Sequence, residues 1–152
     1  MKRVVAAAAL CLVTAACSLS SGSSSNSPSP SGSPLARASG QLDAQVPSPP
    51  SFPGDVPTYP KARLTAAAGF PSSGPTSWGM EWETLDSVSK VQAYYAQNMS
   101  KGDWTITFAT KSSDSFAATF ARKSDSHING TLSSNSANGV TKILMSLLSP
   151  SS

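Results

Sequence analysis

The stretch that most limits how this chain can fold runs from Thr76 to Ala109, and it reads as strand, helix, strand. Trp78, Met80 and Trp82 alternate with Gly79, Glu81 and Glu83. That period of two sets the large apolar groups on one face of a sheet. Asp86 is placed to cap a helix over residues 86–101, where Val88, Val91, Tyr95 and Met99 share one stripe and Gly102 follows as the left-handed C′ residue. Trp104, Ile106 and Phe108 then alternate with Thr105 and Thr107 as another strand. Strands with one apolar face and a helix with one apolar stripe bury those surfaces against each other. This unit therefore defines the core, and nothing in it names a reaction.

The flanking sequence extends the sheet. Residues 62–67 read as an edge strand pairing with the Trp78 strand across the loop Gly69-Phe-Pro-Ser-Ser-Gly-Pro75, whose prolines and glycines forbid regular structure. Ahead of it, Val56 and Tyr59 are set to pack onto the domain from a proline-rich, extended segment. Phe116, Ala118 and Phe120 alternate with Ala117, Thr119 and Ala121; Ile128, Gly130 and Leu132 alternate with Asn129, Thr131 and Ser133; Ile143, Met145 and Leu147 share a face. Short turns around Ser112-Ser-Asp114, Lys123-Ser-Asp125 and Asn135-Ser-Ala-Asn-Gly139 make these strands an antiparallel meander. The predicted fold is α+β: an antiparallel sheet of five or six strands with one helix packed across one face. Its other face would be small and polar, presenting Glu81, Glu83, Thr105, Thr107, Thr119 and Thr131 with Asn129 and Ser133, as a solvated sheet face does. These residues are the candidate binding face.

Charge excludes some partners. The sequence has eleven basic and eight acidic residues, and Lys2 and Arg3 belong to a leader, which leaves nine against eight. A nearly neutral body argues against nucleic acid, which calls for a clustered basic stripe. Both cysteines, Cys11 and Cys17, fall in the leader region, so the body holds no disulfide framework.

Met1-Lys2-Arg3 is a short positive n-region, and Val4 to Ala16 is an apolar h-region too short for a spanning helix, which needs about 20 apolar residues. The run ends Leu12-Val-Thr-Ala-Ala-Cys17 and here resembles bacterial lipoproteins, whose lipobox closes on a small residue followed by the cysteine. The resemblance implies cleavage after residue 16, a diacylglyceryl group on the Cys17 thiol, and a place in the cell membrane with the domain on its extracytoplasmic side. Thr14-Ala15-Ala16 also suits ordinary signal peptidase, which would release a soluble secreted protein. Two acyl chains would anchor firmly, at about 0.8 kcal/mol per buried CH₂.

From 17 to 50 the chain is mostly Ser, Gly and Pro and reads as a disordered linker, leaving 51–150 for the globular domain. Such a tether reaches on the order of 30 Å. The run Tyr59-Pro60-Lys61-Ala62, an acidic strand, a helix bearing Val91, Tyr94 and Tyr95, then Gly102-Asp103-Trp104 is similar to a small domain of uncharacterised bacterial lipoproteins. That resemblance implies a fold and no activity.

No catalytic, metal or cofactor site emerges. His127 is the lone histidine and sits beside Asp125 in a turn, so a nucleophilic pair or zinc site has one residue to build on. Glu81 and Glu83 share a face, as paired carboxylates for glycoside hydrolysis could, but on one strand rather than across a cleft. They read as solvated charge. The sequence thus points to a membrane-anchored, non-catalytic binding domain, with an envelope protein or cell-wall polymer as partner, through the Thr/Ser-rich face and the 69–75 loop. The alternative is a carrier holding a lipid or other apolar ligand between helix and sheet. An enzyme is not expected.

Overall fold

A computed structural model of the chain describes residues 39–150. The leader, Cys11, Cys17 and the linker up to residue 38 lie outside the described residues. Six strands and one helix follow in the order β1 (Arg63–Phe70), β2 (Thr76–Thr84), α1 (Val88–Asn98), β3 (Trp104–Lys111), β4 (Ser115–Arg122), β5 (Asn129–Ala137) and β6 (Val140–Ser149). All pair antiparallel in one sheet of order β1-β2-β6-β5-β4-β3. The helix lies across one face, as the pattern predicts. β3 through β6 form the expected meander, closed between β5 and β6 by Asn138 and Gly139 at φ 52° and 75°, the left-handed pair that a two-residue hairpin turn demands.

One placement goes beyond the meander pattern. β6 lies between β2 and β5 and is bonded on both sides. Strand periodicity records which face a residue takes but not which neighbour a strand chooses, so this pairing between distant segments left no mark in the sequence.

The register places the core. Trp82 pairs with Ile143, which pairs with Ser134, which faces Phe116. Met80, Met145, Leu132 and Ala118 form the next row, and Trp78, Leu147, Gly130 and Phe120 the third. Against these rows α1 sets Val88, Val91 and Tyr95, with Met99 at its C-cap, each 1% exposed or less. The three tryptophans are 4–5% exposed, in the core as their alternation predicts.

The helix is shorter than its predicted span. Ser87 is the N-cap and makes no side-chain cap bond, and Met99 is the C-cap. Asp86 is turned elsewhere: it accepts from the Tyr59 hydroxyl at 2.9 Å and from Lys90 Nζ at 2.9 Å. Gly102 does take φ 62°, but in the turn into β3, past the helix end.

The Asp86 bond ties the segment ahead of β1 to the helix, as does the Tyr94 hydroxyl, which donates to Thr58 O at 2.7 Å. Burial first, then the bond to Asp86, pushes the Tyr59 pKa up to about 12. Burial likewise raises Tyr94 and Tyr95, so every tyrosine of the chain is raised above 10.0. A raised folded-state value means the neutral phenol favours folding fully below about pH 10 and loses that contribution as pH rises through the folded values. Phenolate absorbance should therefore appear only together with alkaline unfolding. A folded protein whose tyrosines ionise near pH 10 would contradict this packing.

The described structure also includes residues ahead of the predicted domain start at 51. Residues 39–50 were expected to belong to a linker that cannot order itself, yet they bind the sheet. Gly40 N–H donates to Asn138 O at 2.9 Å, Asp43 N–H to Glu83 Oε2 at 2.7 Å, and Val46 N–H to Leu64 O at 2.9 Å. Phe52 then sets its ring edge-on to Trp78 and Trp82, at 5.8 and 6.5 Å between centroids. The physical reason is that these bonds use backbone amides, which polar composition does not remove, and that one aromatic side chain suffices to close the strap.

Candidate functional site

The face opposite the helix is built row by row from the same register. Phe70, Ser77, Leu148, Asn129, Ala121 and Thr105 form one row across the six strands. Ala68, Gly79, Ser146, Thr131, Thr119 and Thr107 form the next. Beyond it Ala66, Glu81, Leu144, Ser133 and Ala117 run in parallel, and at the margin Arg63, Glu83, Lys142 and Asn135 make a fourth. Alternation put these residues on one face correctly. The structure brings Thr105, Thr107, Thr119 and Thr131 together around a single concavity of about 420 Å³, completed by Asn129, Ser146 and Leu148. No ionisable side chain lines it. A second hollow of about 350 Å³ lies beside it over β1, β2, β6 and β5, sharing Thr131 and Ser146.

Glu81 and Glu83 do not join that concavity as solvated charge. Glu83 is completely buried. Besides receiving the Asp43 amide, it lies 3.3 Å from Lys142 Nζ, and Lys142 also reaches Glu81 Oε1 at 2.7 Å. The bond to Glu81 first, against an opposing effect of burial, holds the Lys142 pKa above its ordinary value, so the ammonium persists. The expectation of a fully solvated row failed here because the strap of residues 39–46 covers its end. A buried carboxylate is tolerable only with hydrogen bonds and a cation in place, and Glu83 has both. Its work is structural: it holds the strap.

His127 stands at the sheet end, its side chain 87% exposed, with Nδ1 3.0 Å from Asp125 Oδ1. The Asp125 carboxyl is held below its usual value, chiefly by the His127 backbone N–H. The pair caps a turn. On the helix side of the sheet, Arg122 stacks 4.9 Å over Trp104 and is paired with Asp55, while Asp103 accepts from the Ser124 side chain and amide. These contacts close the strand ends over the core. Among the described residues no group of three His, Cys, Asp or Glu side chains could hold a metal ion, and no helix is long and apolar enough to cross a membrane.

The open face also carries apolar groups that sequence reading passed over. Leu144 and Leu148, both on β6, are 42% and 36% exposed and flank Ser146. Each follows from alternation with Ile143, Met145 and Leu147.

A protein-family profile described as START domain-like matches residues 64–139. This span runs from β1 to the β5–β6 turn and takes in both the helix and most of the open face. Searches of curated proteins and of solved structures return no match.

Proposed function

The chain belongs to the START domain-like family, and from that premise we propose that it is a non-catalytic ligand-binding domain that takes its ligand on the open face of the sheet. The observation that carries this reading is the uncharged concavity ringed by Thr105, Thr107, Thr119 and Thr131. Its hydroxyls are exposed and can each donate and accept. On the helix face Trp78, Met80, Trp82, Phe116 and Tyr95 are packed at 0–5% exposure, and the hollow on that side, about 280 Å³ and lined by Phe52, Leu64, Met80 and Trp82 among others, is smaller than the concavity. An apolar ligand carried between helix and sheet would have to displace those side chains.

The leader supports a second part of the reading: Cys17 is diacylated after cleavage at residue 16 and anchors the domain on the extracytoplasmic side of the cell membrane. The chain enters the described domain at residues 39 and 40, bonded to Asn138 at the β5–β6 turn. The partner is then an envelope protein or a cell-wall polymer.

The test places a photoreactive residue at position 119 in the full chain, in its own cells, and compares cross-links with and without Thr107→Asp and Thr131→Asp. Both sites are exposed, so the fold should persist. The envelope cross-links are expected to disappear. Cross-links unchanged by both substitutions would overturn the open face as the site.

A further inference from the structure

Three strand glycines face different fates if given a side chain. At Gly130 a Cβ would lie 2.0 Å from Ser146 O and 2.6 Å from Phe120 Cζ, and at Gly69 it would lie 2.7 Å from the Trp78 ring. Packing accounts for both. At Gly79 nothing stands within 4 Å of where a Cβ would sit, and the backbone is ordinary, without positive φ. β2 is bonded to β1 and β6 on either side of it with no shift in register at that point. A glycine inside a strand weakens it, and one that marks no bulge and packs against nothing in the protein leaves room for a ligand to approach the sheet closely.

Gly79 belongs to the row Ala68, Gly79, Ser146, Thr131, Thr119 and Thr107, which forms the floor joining the two hollows of the open face. Six strands at about 4.8 Å spacing make this a trough on the order of 24 Å long, crossing the strands. Leu148 and Asn129 rise along one side and Leu144 along the other. Glu81 is the one ionisable group lining either hollow, and it is paired with Lys142, an ammonium it shares with Glu83.

We infer that a linear, uncharged polysaccharide lies along this trough, an inference that rests on the open-face reading above and names its ligand class. A chain crossing the strands meets no free backbone groups, because those of the inner strands are spent in the sheet; a polypeptide would instead seek an edge. What the floor offers is a hydroxyl on each of β6, β5, β4 and β3 in succession, at about 4.8 Å intervals. Its walls offer leucine side chains that suit the C–H faces of sugar rings. A ligand bearing hydroxyls along its whole length, apolar ring faces and no charge matches this pattern.

The full chain is titrated calorimetrically with β-1,4-linked N-acetylglucosamine and glucose oligomers, from monomer to hexamer, with poly(glycerol phosphate) as an anionic control. Affinity for one neutral series should rise with length. Thr119→Val, which keeps shape and strand preference, and Gly79→Val, which fills the floor, should each weaken the hexamer by about tenfold. Gly79→Val should melt no lower than the unmodified chain, since valine favours strands; Ala68→Leu blocks the same row from β1 should that variant fail to fold. Affinity independent of length, hexamer binding unchanged in both blocked variants, preference for the anionic polymer, or no binding of either neutral series would overturn the polysaccharide. If saccharide binding is absent while the cross-links still respond to Thr107→Asp and Thr131→Asp, the open-face reading stands without it. If both are absent, both fall.

Discussion

Truncating Tyr95 to alanine is expected to cost about 3–5 kcal/mol, the range for deleting a large buried aromatic side chain. Tyr95 is wholly buried and is the largest of the fully buried side chains. It sits in the middle of the stripe by which α1 meets the sheet, with the Tyr94 ring edge-on at 5.3 Å. A domain of this size has roughly 5–15 kcal/mol in all, so the variant should be largely unfolded in mild denaturant. Urea unfolding followed by tryptophan fluorescence measures this, with a lowered midpoint and an unchanged slope as the expected result. The outcome also bears on how the protein works. A helix that lifts to admit a ligand would be loosely held and would tolerate the truncation; a loss below about 1 kcal/mol would favour the carrier over the open face.

Glu83→Ala is expected to be the second large effect, about 3 kcal/mol. That is the low end of the range for breaking a buried ion pair, because Lys142 keeps Glu81 as a partner. The Asp43 amide loses its acceptor, and a completely buried volume empties. The loss should be local before it is global. Amide exchange at Asp43 and proteolysis within residues 39–46 should accelerate more than exchange in β5 and β6, as expected for a segment that opens on its own. Glu83→Gln retains an oxygen that can accept the amide and should keep the strap closed under conditions where Glu83→Ala releases it. Equal behaviour of the two variants would mean that the Asp43 bond does not hold the strap.

The two residues show where sequence reasoning succeeds and where it stops. Tyr95 was legible because helix periodicity converts directly into a buried stripe, and the tryptophans of β2 and β3 because strand alternation does the same. Glu83 was placed on the correct face, yet its burial depends on a strap of residues 39–46 that lay inside the span read as linker. Alternation states which face a residue takes, not what lies on top of it. The position of β6 between β2 and β5 was illegible for a related reason: β2 and β6 are far apart in sequence, and their pairing rests on matched rows that no local pattern announces. Of the candidate site, the threonines were readable one by one as polar positions. That Thr107, Thr119 and Thr131 stand in a single row with Ser146 and Gly79 required the register. Gly79 carried a signal in the sequence, a glycine between two bulky apolar strand residues, but only the empty space above it separates ligand approach from tight packing.

The family match covers β1 to the β5–β6 turn and brings with it the idea of a ligand, while the packing argues about where that ligand goes. A core filled by Trp78, Trp82, Tyr95 and Phe116 is the ground on which the proposed reading puts it on the hydroxyl-lined side. On that proposal the helix completes the core, and the sheet serves as both scaffold and binding surface.

Intact native mass of the protein, extracted in mild detergent from its own membrane, tests the proposal most directly. The predicted result is the chain from Cys17 carrying a diacylglyceryl group, with no apolar molecule that travels with the folded protein and leaves on unfolding. A chain without lipid would contradict the anchor. An apolar mass released on unfolding would contradict the open face and place the ligand beneath the helix.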